Sequence, residues 1–525
     1  MNIKMKTSNL TWLLAGICAL TVQTRAAALA GTNKPNIIVI YTDDHGYADL
    51  GCMGIMKDVK TPNIDSLAAT GVRMTSGYVT APQCGPSRCG LISGQYQNRF
   101  GMEANGYLTG EVLNRFQALK TLPERLKEAG YVTGMSGKSH LGSDDSGELV
   151  KLGFDKVFWK HSDAAGHWNM DLTGKDIPPQ YQPKGSGYHL ELIADFACTF
   201  INRFKEQPFF FYLAFRGPHV PLDAPRKYTD RFPGPMPEER RKALGAISCI
   251  DDGIGKIMAT LQKNGLEENT LIFIIGDNGA PLKKMPHEFA TGANGLKTLK
   301  PDTPSGWNSW DGSLNDPMNG EKGMLTEGGI RTPFVVHWKG MIPCGQVYTN
   351  AVISLDVAAT ANMLAGLPAD PAIDGVNLMP YLSGKNSGAP HDWLFWRWVG
   401  QFAVRKGDWK YLASGDRQYL FNLATDAEEK HNLLAQHPEL GRELRGQLEK
   451  WSQGLMPPGL VPTEMSAAGR GFYDFYLEGK RNVAAPSEEP FNTAAKKKGK
   501  AGRKAAATTD AAVERSQNDS PNLMK

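Results

Sequence analysis

The sequence predicts an α/β fold with a large, mostly parallel central sheet flanked by helices, and two observations support it. The first is a set of continuous apolar, β-branched runs, typical of strands that are buried on both faces: residues 35–41, 209–215 and 270–275. The second is the helical pattern between such runs, including a long stretch over 239–264. Strands that alternate with helices through about residue 370 favour a parallel sheet covered by helices.

A small antiparallel subdomain with a helix is predicted beyond this fold. Residues 384–390 are rich in Gly, Ser and Asn and indicate a linker. Three segments after it alternate apolar and polar residues as antiparallel strands do: 402–405, 409–412 and 419–422. A helical pattern follows from Pro438 to about Trp451. We therefore expect one domain over residues 31–383 and a C-terminal subdomain over residues 391–480.

The two ends of the chain differ from this globular part. Residues 1–30 combine a charged start, a short apolar stretch and Ala-x-Ala sites, which is the pattern of a cleaved secretory signal. The apolar stretch is too short for a membrane span. Residues 481–525 form a basic, alanine-rich tail without interleaved aromatics, typical of disorder. We expect an exported protein, periplasmic or secreted, without stable membrane insertion.

The charge balance argues against a nucleic-acid partner. The formal net charge is only +4, and much of the excess lies in the tail. A surface that binds nucleic acid normally needs a much stronger basic bias. The remaining composition is that of an ordinary globular protein long enough for a large core.

Acidic residues stand directly after two of the predicted buried strands. Asp43 and Asp44 follow the first strand, and Asp277 and Asn278 follow the strand at 270–275. Adjacent carboxylates repel each other unless a positive charge lies between them, and a hard divalent cation supplies that charge. Since ligands collect at the carboxyl ends of parallel strands, we expect a Ca²⁺ or Mg²⁺ site here. The alternative for the Asp pair is a solvated helix cap.

The most informative stretch of the chain is Cys84-Gly85-Pro86-Ser87-Arg88. Taken alone, it fits a turn before a helix, in which Pro86 presets φ and Ser87 caps the helix. Three further blocks, each after or between predicted strands, accompany it: Ser136–Gly142, Arg216–Pro221 and Gly320–Pro333. Together with the acidic strand ends, and in this order, they resemble the type I, formylglycine-dependent sulfatases over nearly all of residues 34–460.

The resemblance includes arylsulfatases and N-acetylgalactosamine-sulfate sulfatases, and it implies an alkaline-phosphatase-like sandwich fold. It also implies that a formylglycine-generating maturation enzyme oxidises Cys84 in the unfolded chain to an aldehyde whose hydrate attacks sulfur. One Ca²⁺ per chain would be bound by Asp43, Asp44, Asp277, Asn278 and the oxygen made from Cys84. One departure is Ser139, where the family usually has tryptophan.

The same resemblance assigns roles to the remaining motif residues. Lys138 and Lys322 would bind sulfate oxygens, and Arg88 would pair with the formylglycine oxygens. His219 would protonate the leaving alcohol, and His140 would assist sulfate elimination. Asp277 is placed to take the proton of the attacking hydroxyl.

Two other functions remain open at this stage. A phosphate or phosphonate esterase of the alkaline-phosphatase superfamily would use two zinc ions and a Ser or Thr nucleophile, whereas the ligands predicted here are oxygens that fit one metal. A protein that only binds sulfated glycans would leave Cys84 unmodified. The favoured function is a sulfuric-ester hydrolase acting on a sulfated galactose or N-acetylgalactosamine unit of a polysaccharide or glycosaminoglycan.

Aromatic and polar residues near these motifs suggest walls for a sugar ring, with ordinary surface packing as the alternative. They are Trp307, Asn308 and Trp310 in a long loop over 282–319, His161, His167 and Trp168, and Arg99 and Asn105 past the Cys84 motif. The seven cysteines lose Cys18 with the signal and Cys84 by conversion, which leaves an odd number. A dense disulfide framework is therefore not expected.

Overall fold

The computed structural model describes most of the 525 residues. The described parts of the chain are 34–103, 105, 108, 110–141, 146–159, 166–181, 187–282, 310–460 and 467–480. The predicted signal over 1–30, the tail over 481–525 and most of the predicted loop over 282–319 lie outside them.

The strands are, in chain order, β1 (Asn36–Asp43), β2 (Val72–Met74), β3 (Gly77–Tyr78), β4 (Val132–Gly137), β5 (Lys156–Trp159), β6 (His167–Met170), β7 (Asp176–Tyr181), β8 (Phe209–Pro218), β9 (Thr270–Gly276), β10 (Phe334–His337), β11 (Gln346–Tyr348), β12 (Val352–Ile353), β13 (Leu394–Trp398), β14 (Gln401–Lys406), β15 (Trp409–Ser414) and β16 (Arg417–Asn422).

The α-helices are α1 (Pro62–Ala69), α2 (Cys84–Ser93), α3 (Gly110–Gln117), α4 (Leu122–Glu128), α5 (Ser146–Lys151), α6 (His189–Phe204), α7 (Arg226–Thr229), α8 (Glu238–Lys263), α9 (Glu327–Ile330), α10 (Asp356–Leu364), α11 (Met379–Leu382), α12 (Pro438–Ser452) and α13 (Ala467–Tyr476). The long helix predicted over 239–264 is confirmed as α8, within one residue at each end.

A ten-stranded mixed sheet forms the centre of the molecule, in the order β11-β2-β10-β9-β1-β8-β4-β5-β6-β7. The middle of the sheet, from β9 through β5, is parallel. Antiparallel strands β10 and β6 join on its two sides. The predicted α/β fold with a mostly parallel sheet is therefore confirmed.

Both faces of this sheet are buried, which explains the continuous apolar runs. In β1, Ile37, Val39 and Tyr41 belong to one core, while Ile38 and Ile40 belong to the core on the opposite face. Helices α2, α4 and α10 contribute to the first core, and α6 and α8 contribute to the second. Since burying one large apolar side chain contributes about 1.5–3 kcal/mol, a polar residue on either face of β1 would cost stability.

The C-terminal sheet has the antiparallel order β13-β14-β15-β16. The three strands predicted here are confirmed as β14, β15 and β16, and the predicted helix is confirmed as α12; β13 was not predicted. One face of this sheet places Trp396 and Leu412 in the first core. The other face packs Val404 against Leu444 and Leu448 of α12. The sheet thus lies between the large domain and α12, although the exact domain boundaries stay predictions.

A buried charge cluster joins the C-terminal sheet to helix α9. The Lys410 ammonium on β15 lies 2.8 Å from the carboxylates of both Glu327 on α9 and Glu429. The Glu429 carboxylate accepts the Glu327 backbone N–H at 2.7 Å, and the Tyr78 hydroxyl donates to Glu327 at 2.6 Å. Burial raises the pKa of Glu429 to about 7, while Lys410 opposes that rise. The cluster ties the C-terminal sheet to the segment that also carries Lys322.

We expect Lys410→Ala to lower the free energy of unfolding by about 3–5 kcal/mol, because it leaves two buried carboxylates without their cation. Lys406→Ala is the matched control, since Lys406 forms an exposed ion pair with Glu443 and its side chain is 45% exposed. Such surface pairs contribute at most about 1 kcal/mol. Urea unfolding of both variants measures the difference, and equal losses would contradict the importance of the cluster.

Two further sequence-based expectations concern cysteines and membrane spans. The cysteines in the described part of the chain, Cys52, Cys84, Cys89, Cys198, Cys249 and Cys344, are all free. Among the described helices, none combines the length and the apolar character that crossing a bilayer requires.

Candidate active site

The site forms at the edge where four neighbouring parallel strands end. Asp43 closes β1, and Asp277 follows β9 directly. Lys138 follows β4, and His219 follows β8. Because β9, β1, β8 and β4 are adjacent in the sheet, residues far apart in sequence come together here.

Three carboxylates form the centre of the site. One oxygen from each of Asp43, Asp44 and Asp277 lies within 4.8 Å of the others, and all three residues are buried. The Asp44 backbone N–H donates to Asp277 at 3.0 Å, and the Asn278 amide donates to Asp44 at 2.5 Å. The four residues predicted to bind a cation are therefore brought together.

Their donor atoms suit a hard divalent cation. Among the described residues, buried Oδ1 atoms of Asp43 and Asn278 have no hydrogen-bond partner. Buried oxygens normally have one. An oxygen-only ligand set fits Ca²⁺ or Mg²⁺ better than Zn²⁺. The residues present thus fit the predicted calcium ion.

The electrostatics of these carboxylates differ from one another. Burial raises the pKa of Asp43, but Lys138, His219 and Arg88 outweigh burial and hold it well below the usual range. Burial and the charge of Asp43 raise the pKa of Asp277 to about 7. When carboxylates share a site without enough positive charge, their pKa values separate in this way.

Cys84 is the first residue of helix α2 and points its side chain into this cluster. The residue is 1% exposed, and Asp43, Cys84 and His219 offer ligand atoms within 4.8 Å of one another. Burial raises the pKa of the thiol to about 12, against the pull of Lys138 and Lys322. The N-terminus of a helix also favours negative charge at this point.

The alternative role of Ser87 as a helix cap is wrong. Gln83 occupies the N-cap position of α2 without a side-chain cap. Ser87 lies inside the helix, and its hydroxyl contacts the Tyr41 hydroxyl at 2.7 Å. Ser87 therefore links α2 to strand β1 of the sheet.

Arg88, on the same helix as Cys84, is fully buried. Its Nε and Nη2 atoms both donate to Oδ2 of Asp277, at 2.9 and 2.6 Å. Its Nη1 donates to the Lys138 carbonyl at 2.9 Å. Nearby Tyr212, Asp277 and Asp43 outweigh burial and raise the pKa of Arg88. Arg88 thus connects the ends of β9 and β4.

Two lysines contact different carboxylates of the site. Lys138 Nζ lies 2.5 Å from Asp43 Oδ2, and Lys322 Nζ lies 2.7 Å from Asp44 Oδ1. The segment carrying Lys322 is held against the loop after β9, where Gly279 N–H donates to the Gly329 carbonyl at 3.0 Å. A Cβ on Gly279 would lie 1.7 Å from the Gly328 carbonyl oxygen, so only glycine permits this approach.

Two histidines complete the predicted set. His219 Nε2 lies 3.6 Å from Asp44 Oδ2, and its Nδ1 lies 2.6 Å from the Val220 carbonyl. Burial lowers the pKa of His219 to about 4, although Asp43 and Asp44 raise it. Burial and Lys138 lower the pKa of His140 well below its ordinary value. Ser139, in place of the usual tryptophan, is buried.

The structure adds two residues that the sequence had not singled out. Asp311 shares a hydrogen bond with Asp44 and accepts the Val220 backbone N–H at 3.2 Å. Burial and Asp44 raise its pKa well above the usual range. Arg216, near the end of β8, lies within electrostatic reach of Asp43 and Asp311. A charged residue directly after the apolar run over 209–215 is the sequence signal that could have indicated Arg216.

The residues suggested as sugar walls have mixed positions. Trp310 is a core residue whose indole donates to the Ser313 carbonyl at 3.0 Å, so the wall role is wrong for it. Trp168 lies in β6 and packs on Phe158 of the adjacent strand β5; three strands separate β6 from β1. Trp307, Asn308 and His161 lie outside the described residues.

The two polar residues past the Cys84 motif differ as well. Arg99 forms an ion pair with Asp374 at 2.5 Å, which occupies its guanidinium. Asn105 accepts the Gly85 backbone N–H at 3.2 Å. Asn105 therefore contacts the first turn of α2, next to Cys84.

Family models and relatives agree with this geometry. The model described as Sulfatase matches residues 35–367, and the one described as N-sulphoglucosamine sulphohydrolase, C-terminal, matches residues 320–454. N-acetylgalactosamine-6-sulfatase of Canis lupus familiaris is 30% identical over 79% of this chain and 81% of its own length. N-acetylgalactosamine-6-O-sulfatase of Bacteroides thetaiotaomicron is 30% identical over 84% of this chain and 98% of its own.

A solved structure gives the same result at the level of the fold. The crystal structure of Ps i-CgsB in complex with k-i-k-neocarrahexaose is 29% identical, with a TM-score of 0.68. The match covers 82% of this chain and 96% of that one. Because the Sulfatase model matches more than half of the chain, and the relatives extend the match over its length, this protein belongs to the sulfatase family, whose members hydrolyse sulfate esters.

Proposed function

We propose that this sulfatase removes a sulfate monoester from a sulfated carbohydrate, through a formylglycine nucleophile made from Cys84 and with one bound Ca²⁺. The observation that carries the proposal is the meeting of Cys84 with three carboxylates and two lysines at one edge of the sheet. Asp43, Asp44, Asp277 and Asn278 would hold the cation. When bound, the cation and the aldehyde hydrate supply a polarised oxygen nucleophile for sulfur.

The side chains of this chain bind and orient the sulfate group. Lys138 and Lys322 place two ammonium groups where they neutralise sulfate oxygens as charge develops in the transition state, which is usually the largest catalytic contribution. Arg88, held by Asp277, fixes the first turn of α2 and directs a permanent positive charge toward position 84. Asp277 takes the proton of the attacking hydroxyl.

Histidines move protons on the two sides of the reaction. His219 donates a proton to the leaving alcohol oxygen, and His140 accepts one as sulfate leaves. A pKa of about 4 disfavours the charged imidazole of His219 in the free protein at neutral pH. The negative sulfate ester raises that pKa when it binds beside the ring.

The proposed substrate is a galactose or N-acetylgalactosamine unit of a sulfated polysaccharide or glycosaminoglycan. Two relatives that share 30% of their residues with this chain are named N-acetylgalactosamine-6-sulfatases. The proposed setting is the periplasm or the outside of the cell, because residues 1–30 have the pattern of an export signal. A formylglycine-generating enzyme is the proposed maturation partner.

Sulfate release from a panel of sulfated mono- and oligosaccharides tests the function. Ion chromatography measures the free sulfate, and mass spectrometry of the peptide Met74–Arg88 identifies the aldehyde at position 84. We expect release from galactosamine-type sugars. The same panel includes phosphate and phosphonate esters, and turnover of those esters alone would replace the proposal with the esterase alternative.

We expect His219→Ala to slow hydrolysis of a sugar sulfate by about 10² to 10⁴-fold, because the departing alkoxide then lacks its proton donor. An aryl sulfate has a stable leaving group, so its hydrolysis should fall much less. His337→Ala is the control, since His337 ends β10 on another part of the sheet. Comparing kcat for the two substrates measures the effect, and equal losses would argue against general-acid catalysis by His219.

A further inference from the structure

Arg216 is a buried cation with unused hydrogen-bond donors. It lies near the end of β8, three residues before His219, and is 5% exposed. Among the described residues, neither its Nε nor its Nη1 has a hydrogen-bond partner. Buried guanidinium groups normally use their donors, because an unpaired one loses its hydration without compensation. A ligand that supplies acceptor oxygens would satisfy these two groups.

The guanidinium stands beside the proposed proton donor. Its third nitrogen, Nη2, donates to the Val220 carbonyl, and the same carbonyl oxygen lies 2.6 Å from His219 Nδ1. His219 Nε2 in turn lies 3.6 Å from Asp44. Arg216 therefore flanks the side of the site from which the alcohol would leave.

The surrounding carboxylates do not use the spare donors. Asp43 contacts Lys138 and Asp44 contacts Lys322. Asp223, which also acts on Arg216 electrostatically, contacts His189 at 3.3 Å. Burial lowers the pKa of Arg216 despite these carboxylates. Two buried N–H donors of Arg216 thus lack acceptor oxygens, which favours an added anionic group.

Two partly exposed residues of the loop after β8 are neighbours of Arg216. The His219 side chain is 21% exposed and the Asp223 side chain is 28% exposed. Both residues follow Arg216 in the chain: His219 shares the Val220 carbonyl with it, and Asp223 acts on it electrostatically. An anionic group of a substrate bound beside His219 would therefore lie close to the Arg216 guanidinium.

We propose that Arg216 determines specificity by binding a second anionic group of the substrate, a sulfate or a carboxylate next to the ester that is cleaved. The inference rests on the proposed function, because it needs a sulfated carbohydrate in the site. The planar fork of arginine pairs with two oxygens of one such group. The preferred substrate is then a doubly charged saccharide.

Kinetics of Arg216→Gln on three substrates tests the inference. They are monosulfated N-acetylgalactosamine, the same sugar with a second sulfate, and a disaccharide that joins the monosulfated sugar to a uronic acid. Wild type should prefer one of the doubly charged substrates. Arg216→Gln should lower kcat/KM for that substrate by about 10- to 100-fold, mostly through KM, and should affect the monosulfated sugar by less than about 3-fold. The doubly charged substrate for which kcat/KM falls identifies the anionic group as a sulfate or a carboxylate.

Two further variants separate binding from structure. Arg216→Lys retains the charge but loses the fork, so it should recover part of the preference. Arg226→Gln removes an exposed arginine from α7 and should change neither substrate class. Bound calcium and the unfolding midpoint should stay at wild-type values in all three variants.

Three results would overturn the inference. One is a wild type that shows no preference for a second charge, and another is an equal loss on all substrates in Arg216→Gln. The third is loss of calcium or of the fold in that variant, which would make Arg216 a structural residue. Failure of the proposed function is distinguishable, because matured wild type would then release sulfate from none of the three sugars and the inference would fall with it.

Discussion

Replacing Cys84 with alanine should abolish sulfate release, lowering kcat by about 10⁴-fold or more, because the side chain that becomes the nucleophile is gone. Losses of this size are typical when a covalent nucleophile is removed. The surrounding lysines and carboxylates remain, so the variant should still bind substrate. Sulfate release measures the loss of activity. Direct binding of the sugar to the variant, alongside inhibition of wild type by inorganic sulfate, measures the binding that remains.

Cys89→Ala is a closely matched control for this experiment. Cys89 is also a buried cysteine, and it lies on the same helix five residues later. It belongs to the first core, and among the described residues it offers no ligand atom to the carboxylate cluster. Cys89→Ala should retain activity within a few-fold. A Cys84→Ala protein with wild-type activity would refute the formylglycine mechanism.

Replacing Asp44 with alanine should remove the bound cation and lower activity by about 10² to 10⁴-fold. Metal ions contribute several kcal/mol of transition-state stabilisation, which corresponds to a factor of this size. Asp44 is the carboxylate that contacts Lys322 and Asn278, so its loss also frees a lysine ammonium beside the sulfate. Elemental analysis after dialysis should show about one calcium per chain in wild type and almost none in the variant.

Asp252→Ala provides the comparison for the metal experiment. Asp252 also pairs with a cation, Arg231, at 2.8 Å, but on an exposed part of α8. That variant should keep its calcium and its activity. Chelation of wild type should reproduce the loss, and added calcium should restore activity. Two zinc ions per chain in wild type would contradict the calcium site and favour the phosphoesterase alternative.

The fold and the strand-end residues were predictable because both follow from local periodicity. Asp43 and Asp277 each end an uninterrupted apolar run, and the edge of a parallel sheet gathers such ends. Lys138 and His219 also follow strands, β4 and β8, but the family resemblance of their motifs, and not periodicity, singled them out. Because these strands are neighbours in the sheet, residues that are far apart in sequence form one cluster.

Asp311 and Lys410 were not predictable in the same way. Asp311 lies in a stretch of sequence without periodicity, and its contact with Asp44 is a tertiary contact that no local pattern indicates. Lys410 belongs to an alternating strand, where a lysine normally faces solvent. It is buried because both faces of the C-terminal sheet are covered, and no local pattern records what covers a second face. Such tertiary partners need the structure.

The buried cluster around Lys410 limits how the C-terminal subdomain can be exchanged between related enzymes, in evolution or in protein engineering. A C-terminal subdomain transplanted from a relative would bring that relative's residues at the positions of Lys410 and Glu429, whereas Glu327 would come from the recipient. A mismatch would leave a buried charge without an opposite charge beside the segment that carries Lys322. Chimeras should therefore be joined so that these three residues are inherited together, and substrate range should be exchanged through surface loops instead.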